Sequence, residues 1–228
     1  MKISIIIPAH NEEASIEAVV KAALKQDYPD FEIIVVDNCS TDRTAEIVKN
    51  MGVKVVSETR KGTQWAREKG RTEANGDIIA NLDADCLSDS NWLQKGVKHF
   101  SSKKVVAVTG PYDYYDGDKF FRKFSLVFQK CAYTISNYIL QKIHKGAVTI
   151  GGNVFLRANI LEKIGGYNTN ILFYGDDTDT AKRMAKEGTI IFDRNLIMKT
   201  SARRLKSQGS IKTSVIYIYH FFKVIFRA

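Results

Sequence analysis

The chain has 228 residues, 44% hydrophobic and 26% charged, which predicts an ordinary soluble globular protein of one domain, or one domain with an appendage, and gives no sign of disorder. Three cysteines, Cys39, Cys86 and Cys131, form no CxxC pair, so neither a disulfide framework nor a zinc site is indicated, and a reducing cytoplasm fits best. A formal charge of +9 favours an anionic partner, which could be a nucleic acid, a nucleotide or an acidic membrane surface.

The first half of the chain alternates strand-like and helix-like segments. An apolar run stops at Pro8 and is too short for a signal peptide or a membrane span, so it predicts the first strand. Strands are predicted at 3–7, 33–36, 53–56, 78–82 and 105–109. Helices are predicted between them at 12–26, 42–51, 63–74 and 91–100. This alternation predicts an α/β fold, with a mostly parallel central sheet flanked by helices on both faces.

The second half has a different pattern. Residues 119–145 are aromatic and basic and predict a long helix, and the GGNVFLR stretch predicts a strand. A short helix is predicted from Thr180 to Glu187, followed by a strand in TIIFD. With no linker between the halves, we expect α+β structure laid against the first half.

The C-terminal stretch, 211–228, predicts a basic amphipathic helix. Lys212, His220, Lys223 and Arg227 share one sector of a helical wheel, interrupted by Ile216, and nearly all other residues are apolar. Its longest uncharged run is too short to span a bilayer, so one interpretation is a helix lying on an anionic membrane surface. The alternative is a terminal helix docked on the core of the domain.

Acidic residues collect where the predicted strands end. Asp37 ends the second strand, and Asp83 and Asp85 follow the fourth in IIANLDADC. The carboxyl ends of parallel strands meet at one edge of a sheet, where ligands bind. Neighbouring buried carboxylates repel unless a cation neutralises them, so Asp83 and Asp85 predict a Mg²⁺ or Mn²⁺ site that would also attract a pyrophosphate. The alternative is a helix cap or a turn.

Five stretches in order give the chain a family resemblance. They are IIIPAHNEE, IIVVDNCSTDRT, AREKGRTEANGDIIANLDADC, GGNVFLRANILEKIGGYN and YGDDTDTAKRMAKEG. Together they resemble the family 2 glycosyltransferases of the GT-A fold over roughly Ile3 to Arg204. The resemblance implies a nucleotide-diphosphate sugar, UDP- or GDP-linked, as donor, a divalent metal ion as cofactor, and transfer with inversion at the anomeric carbon.

The resemblance also implies roles for residues of the first half. The DxD motif is Asp83, Ala84 and Asp85; Asp85 would coordinate the metal on the diphosphate, while Asp83 would contact the ribose or share the metal. Asp37 would bind the base, whose N–H groups suit a carboxylate. The first nucleotide loop would consist of Pro8, Ala9, Asn11 and Glu12.

Basic residues are implied around the donor. Lys61 and Arg67 would line the nucleotide and sugar pocket, the alternative for each being a solvated helix face. Arg203 and Arg204 would close on the diphosphate, because planar guanidinium groups bind phosphate oxygens in pairs. The alternative for this pair is a basic patch that continues into the C-terminal helix.

Direct displacement at a sugar needs a base for the acceptor hydroxyl. By the match, Asp177 is that base, and Asp176 and Asp179 would orient the acceptor or raise the proton affinity of the base. The alternative is an N-terminal cap for the helix predicted from Thr180. The Gln-x-x-Arg-Trp motif of processive members is absent, so transfer of one sugar is expected.

The chain departs from the family at two positions and carries two further features beside the motifs. Asn38 stands where a second aspartate is frequent, and Glu68 stands where asparagine is frequent. Gly151 and Gly152 are expected to let the backbone approach the acceptor or donor sugar. Cys86 is expected to be a small buried filler.

The leading hypothesis is a catalytic domain over 1–205, with a nucleotide-sugar half at 1–110 and an acceptor half at 111–205, followed by the helix in 206–228. Its acceptor would be a lipid-linked or cell-envelope glycan, and it would lie in the cytoplasm on the inner face of the membrane. Alternatives are a polyprenyl-phosphate glycosyltransferase, a sugar-phosphate nucleotidyltransferase and a non-catalytic basic binding or adaptor module. Clustered aspartates would repel phosphates, so no nucleic-acid partner is expected.

Overall fold

A computed structural model describes residues 1–171 and 174–226 of the chain. Its main sheet has seven strands: β1 Ile3–Ala9, β2 Phe31–Asp37, β3 Lys54–Ser57, β4 Ile78–Leu82, β6 Val105–Thr109, β8 Asn153–Arg157 and β9 Thr189–Phe192. Their order is β3-β2-β1-β4-β8-β6-β9. Only β8 runs against its neighbours, so the sheet is mostly parallel, as the sequence predicts.

Helices cover both faces of this sheet. Those of the first half are α1 Ile16–Leu24, α2 Thr44–Asn50, α3 Thr63–Glu73 and α4 Trp92–Val97, the last followed by a 3₁₀ turn. The two faces bury separate apolar clusters, because alternate residues of a strand point to opposite sides. Ile5 and Ile7 of β1 pack on the α1 side, whereas Ile6 packs on the α3 side.

Gly70 brings α3 close to the sheet. A Cβ atom at this position would lie 2.4 Å from Cγ2 of Ile6, far inside van der Waals contact. Only glycine fits here, and the close approach carries Arg67, one helical turn earlier, to the edge where the parallel strands end.

A small second sheet lies beside this edge and was not predicted. It contains β5 Cys86–Leu87, β7 Tyr112–Tyr114 and β10 Met198–Thr200 in the order β5-β10-β7. Strands of two or three residues carry too little periodicity to be recognised in a sequence. Their pairing fixes the chain immediately after Asp85.

The second half adds five helices within the described residues. They are α5 Lys119–Lys142, α6 Ala158–Lys163, α7 Asp176–Met184, α8 Arg203–Gln208 and α9 Ser210–Ile225. α7 begins at Asp176, so the predicted start at Thr180 was wrong: Gly175, with φ 86°, precedes the helix, and three aspartates occupy its first turn.

The C-terminal segment divides differently from the expected 206–228 helix. α8 crosses residue 205, and α9 follows it after Gly209, whose φ is 84°. Arg227, one of the residues expected on the basic sector, lies outside the described residues. Within the described chain, no helix has both the length and the apolar character required to cross a membrane.

Candidate active site

The candidate site lies at the edge where the parallel strands end. Ala9 pairs with Asp37 at the ends of β1 and β2, and Leu82 at the end of β4 pairs with Asn153 at the start of β8. Because β8 is antiparallel, the turn that precedes it reaches the same edge. The topology therefore brings together three segments that are far apart in sequence.

Asp83 and Asp85 form a compact acidic turn after β4. The Cys86 amide donates to the Asp83 carbonyl at 3.0 Å, and Ala84 between the two aspartates is buried. One ligand atom each of Asp83, Asp85 and Cys86 all lie within 4.8 Å of one another. A single ion with oxygen ligands at about 2.0–2.6 Å could bridge two carboxylates at such a separation.

The donor chemistry of this turn suits a hard cation through its two carboxylates. Burial, followed by the charges of Asp83 and Asp85, raises the pKa of the Cys86 thiol well above its ordinary value. A protonated thiol is a poor ligand for Mg²⁺ or Mn²⁺, so Cys86 is a buried filler, as predicted. Asp83 and Asp85 are the residues that fit a divalent ion.

Asp85 is the less constrained of the two carboxylates. Burial, then the charges of Asp83 and Glu12, raises its pKa to about 6, while Arg203 and Arg204 oppose the rise. Its only hydrogen bond among the described residues comes from the weak Cys86 thiol donor at 3.8 Å. Asp85 therefore retains oxygen lone pairs that no strong donor uses.

Arg67 connects the acidic turn to the first turn of α7. It is 3% exposed; its Nη2 donates to Asp83 Oδ1 at 3.1 Å, and its Nη1 donates to Asp177 Oδ1 at 2.7 Å and to Asp176 Oδ2 at 3.5 Å. Burial acts to lower the pKa of this guanidinium, but Asp177, Asp83 and Asp176 together raise it well above the ordinary value. Arg67 is therefore a buried cation between carboxylates of the two halves, which contradicts the alternative of a solvated helix face, while its place in the nucleotide and sugar pocket stays a prediction.

Asp177 is held from two sides and remains partly open to solvent. Arg67 binds Oδ1, the Gly151 amide donates to Oδ2 at 3.0 Å, and the side chain is 33% exposed. Burial and then the Asp176 charge raise its pKa to about 7, against the opposing charge of Arg67. A carboxylate with this pKa can accept a proton near neutral pH.

Asp176 has a different environment from its neighbour. Its side chain is 12% exposed, and Oδ2 accepts from Gln64 Nε2 at 2.6 Å. Asp179, one turn along α7, pairs with Arg183 at 2.8 Å and turns away from the site. Of the three aspartates in this turn, Asp177 is therefore the one held against both Arg67 and Gly151.

The glycine pair lies close to two carboxylates of the site. A Cβ atom at Gly151 would lie 2.2 Å from Asp177 Oδ1, and one at Gly152 would lie 2.3 Å from Asp83 Oδ2 and 2.4 Å from the Tyr112 hydroxyl. A Cβ atom at either position would force the neighbouring side chain to move, because these separations are far below van der Waals contact. Each glycine thus packs against one aspartate, and the expected approach to a sugar stays a prediction.

Buried polar contacts fix the glycine turn. Asn153 is fully buried; its Nδ2 donates to the Leu196 carbonyl at 2.7 Å and its Oδ1 accepts from Trp92 Nε1 at 2.9 Å. Thr109 Oγ1 donates to the Asn153 carbonyl at 2.8 Å. Trp92 is a core residue, and the turn before β8 is held at both ends.

The expected nucleotide loop lies beside β2. Asn11, with a φ of 54°, accepts through its side chain from the Thr41 amide at 2.8 Å. Glu12 is anchored by its amide to Thr44 Oγ1 at 2.8 Å, and its carboxylate pairs with Arg203. These bonds join the loops that follow β1 and β2.

Asp37, at the end of β2, carries an unpaired buried acceptor. Its Oδ1 atom is buried and has no hydrogen-bond partner among the described residues. Ala9 lies beside it in the sheet, and Pro8 pairs with Val36. A buried acceptor without a partner is costly, and a ligand N–H group would satisfy it.

Both departures from the family pattern have structural partners. Asn38 is buried and holds the loop before α3, donating to the Glu58 and Arg60 carbonyls and accepting from the Gly62 amide. Glu68 pairs with Arg71 at 2.6 Å and accepts from the Tyr167 amide at 2.9 Å. Both side chains stabilise loops around the site.

The remaining basic candidates are exposed. Lys61 lies on the loop before α3 and pairs with no acidic side chain of the described residues. Arg203 binds Glu12, and Arg204 donates through Nη1 to the Tyr217 hydroxyl at 2.9 Å. Arg203 and Arg204 therefore border the site from α8, close enough to affect Asp85.

Sequence reasoning missed Gln64 and Tyr112. Gln64 lies three residues before Arg67 on the same face of α3, and this spacing could have indicated a shared target. Tyr112 donates to Asp83 Oδ2 at 3.2 Å, and burial is the main cause that raises its pKa above the ordinary value. Nothing in the PYDYY stretch distinguishes this tyrosine from its neighbours before the small sheet is known.

Comparisons with known proteins were made for the whole chain. Residues 4–165 match the family model described as glycosyl transferase family 2. The glycosyltransferase AglE of Haloferax volcanii is 30% identical over 196 residues, which cover 82% of this chain and 62% of AglE. The UDP-Glc:alpha-D-GlcNAc-diphosphoundecaprenol beta-1,3-glucosyltransferase WfgD of Escherichia coli is 30% identical over 152 residues, covering 65% of this chain and 58% of WfgD.

Among solved structures, the mannosyltransferase PcManGT from Pyrobaculum calidifontis, in complex with GDP-Man and Mn²⁺, is similar with a TM-score of 0.79 and 25% identity. The similarity covers 100% of this chain and 65% of that protein. The chain thus spans less than two thirds of the length of each of these proteins. Asp83 and Asp85 lie inside the span of the family model, whereas Asp177 lies beyond its end.

Proposed function

The chain belongs to glycosyltransferase family 2, and from this membership and the site geometry we propose that it transfers one sugar from a UDP- or GDP-sugar to an acceptor hydroxyl, with inversion at the anomeric carbon. The observation that carries the proposal is the Arg67 guanidinium, which binds Asp83 and Asp177 at once. A donor-side carboxylate and a candidate base are thereby held at either side of one rigid cation.

The donor nucleotide would lie along the ends of β1 and β2. Asp37 would accept an N–H group of the base through its otherwise unpartnered Oδ1. Pro8, Ala9, Asn11 and Glu12 would form the wall beside it, and Lys61, Arg203 and Arg204 would approach the phosphates from exposed positions. PcManGT, which was solved with GDP-Man, supports a nucleotide-sugar donor in this fold.

A divalent ion, Mn²⁺ or Mg²⁺, would be held by Asp85 and Asp83. When bound, such an ion neutralises the diphosphate and stabilises it as a leaving group. Three features of the chain support the assignment: the separation of the two carboxylates, the absence of a strong donor to Asp85 among the described residues, and the like-charge pair that a cation would relieve.

Asp177 would act as the general base. Its carboxylate would accept the proton of the acceptor hydroxyl while the hydroxyl oxygen bonds to the anomeric carbon and the bond to the diphosphate breaks on the opposite face. Arg67 and the Gly151 amide fix both of its oxygens, which reduces the reorganisation needed to meet the acceptor. Asp176, held by Gln64, would maintain the negative field that keeps Asp177 basic.

The acceptor would be a lipid-linked or cell-envelope glycan. WfgD is described by a diphosphoundecaprenol-linked acceptor, and the second half of this chain carries exposed apolar helices beside the site.

Calorimetric titration of UDP and GDP, each with and without Mn²⁺, tests the proposal. We expect one nucleotide to bind at least tenfold more tightly with Mn²⁺, and Asp85→Ala to remove that gain. Asp89→Ala is the matched control, because Asp89 lies a few residues further along the chain, after β5, and pairs with the exposed Lys199. Failure of both nucleotides to bind the folded protein under any condition would overturn the donor site.

A further inference from the structure

One side of α5 exposes a row of aromatic and aliphatic side chains. Phe120, Phe124 and Phe128, spaced four residues apart, are 81%, 61% and 57% exposed. Their rings stack in sequence at 6.2 and 6.4 Å. The same helix exposes further large apolar side chains at Ile135 and Tyr138. Soluble monomers rarely expose a contiguous apolar row of this length, which points to an interaction surface.

The outer side of α9 has the same character. Val215, Ile218, Tyr219 and Phe222 are each more than half exposed, whereas Thr213 on the inner side is fully buried. The helix therefore packs on the domain by a narrow face and presents an apolar face outward.

The end of α9 approaches the loop that follows α5. Gly146, just after α5, is so close to Ile225 at the end of α9 that a Cβ atom on the glycine would lie 3.2 Å from the isoleucine Cδ1. Tyr133 lies in the middle of α5. Its pKa is raised mainly by burial and, to a smaller extent, by the neighbouring Tyr217 of α9. The exposed apolar faces of these neighbouring helices are together referred to below as the α5–α9 surface.

The two segments that carry the α5–α9 surface are basic in sequence, although Asp118 caps α5 and Asp113 pairs with Arg122. Residues 119–145 contain six Lys or Arg and residues 194–226 contain seven, and neither range contains Asp or Glu. These thirteen residues exceed the net charge of +9, so the rest of the chain is acidic on balance. Lys119, Lys123, Lys212 and Lys223 are exposed and form no ion pair with a described residue.

We propose that the α5–α9 surface binds an anionic phospholipid bilayer, lying in the interface without crossing it. Exposed aromatic and aliphatic residues would enter the headgroup region, and the flanking lysines would pair with lipid phosphates. Charge complementarity selects an anionic bilayer over a second copy of this chain, because two copies would bring like-charged lysines together.

Helix α9 of this surface contacts helix α7, which carries the candidate base Asp177. Val224 of α9 packs against Gly175, immediately before Asp176, and the Lys182 ammonium of α7 donates to the Val224 carbonyl at 3.1 Å. The His220 ring stacks on Tyr174 at 5.4 Å. A bilayer bound to α9 would therefore lie close to Asp177. This step rests on the proposed function, in which the hydroxyl of a lipid-linked acceptor meets Asp177.

Co-sedimentation of the purified chain with phospholipid vesicles tests the proposal without any nucleotide. We expect binding to vesicles of phosphatidylcholine with phosphatidylglycerol, weaker binding to phosphatidylcholine alone, and a loss of binding at high salt. Phe124→Ser and Lys123→Glu should each weaken binding severalfold. Their matched controls, Leu24→Ser and Lys49→Glu, change exposed residues of α1 and α2 and should bind as the parent chain does.

Two results would overturn the proposal. One is equal binding by the variants and their controls, or equal binding to both vesicle types. The other is no vesicle binding together with dimerisation in light scattering that Phe124→Ser abolishes, which would make the surface an interface between copies. Because no nucleotide is present, either result leaves the donor-site titration unaffected.

Discussion

The site has two aspartate pairs, Asp83 with Asp85 and Asp176 with Asp177. Asp85 and Asp177, one from each pair, are opposite in how they are held, while Asp83 is bonded to Arg67 and Tyr112. In the first pair, Asp85 receives no strong hydrogen bond from a described residue. In the second pair, Asp177 is bonded at both oxygens, to Arg67 and to Gly151. A loosely bonded carboxylate suits an incoming cation, whereas a fixed one suits proton transfer in a defined direction. The surroundings, not the residue type, assign the proposed roles.

The largest expected effect comes from removing the candidate base. Asp177→Asn keeps the size and much of the hydrogen bonding of the side chain but cannot accept a proton. We expect the release of nucleoside diphosphate from the donor sugar to slow by about 10²–10⁴-fold. Metal-dependent nucleotide binding should be retained in calorimetry, and a variant that lost both would mean that Asp177 belongs to the donor site.

The second largest effect is expected from alanine substitutions in the Gly151–Gly152 turn, which test the two aspartate pairs separately. Gly151→Ala would place a methyl group against Asp177, and Gly152→Ala would place one against Asp83 and Tyr112. Displacement of a catalytic group by about 1 Å can cost about 10²-fold in rate. We expect Gly151→Ala to lower kcat with nucleotide affinity little changed, and Gly152→Ala to weaken Mn²⁺-dependent nucleotide binding.

The two alanine variants serve as controls for one another, since both alter the same turn. Melting temperatures measured alongside would reveal general damage to the fold. Identical kinetic and binding defects in both would contradict the assignment of one glycine to each aspartate.

A third test uses pH. Because the pKa of Asp177 is raised to about 7, the base is protonated below that value and ionised above it. We therefore expect kcat/KM to fall by about tenfold for each pH unit below 7 and to level off above it. A rate that stays constant between pH 5 and 8 would argue against a base with this pKa, and the residual rate of Asp177→Asn should lack the dependence.

The smallest expected effect concerns Tyr112. Tyr112→Phe removes the hydroxyl that donates to Asp83 at 3.2 Å and leaves the ring in place. We expect a loss of about 2–10-fold in Mn²⁺-dependent nucleotide affinity, in line with a single neutral hydrogen bond. Tyr115→Phe is the matched control, because Tyr115 is exposed and lies outside β7.

Much of the first half could be predicted from the sequence. Strands β4 and β6 were predicted with the observed bounds, because continuous β-branched runs in a parallel sheet are bounded by polar residues. Because the carboxyl ends of parallel strands meet at one edge of a sheet, Asp37, Asp83 and Asp85 could be placed on that edge without knowledge of any contact.

The second half was harder because its decisive features are not local. The start of α7 was predicted too late, since three aspartates in a first turn look like a loop until Gly175 is seen to precede the helix. The burial of Arg67 depends on carboxylates sixteen and more than a hundred residues away. No periodicity encodes such contacts, and the role of the glycine turn follows from them.

The Gly151–Gly152 turn has a consequence for exchanging parts between relatives. Each glycine packs against a different aspartate. Asn153 anchors the turn through hydrogen bonds with the Trp92 indole and the Leu196 carbonyl. The main chain of this turn therefore sets the spacing between Asp83 and the candidate base Asp177, and it serves as a rigid template. Segments that meet the acceptor can vary around this template, so a chimaera that keeps residues 149–153 with their buried partners should preserve the reaction geometry while its acceptor preference changes.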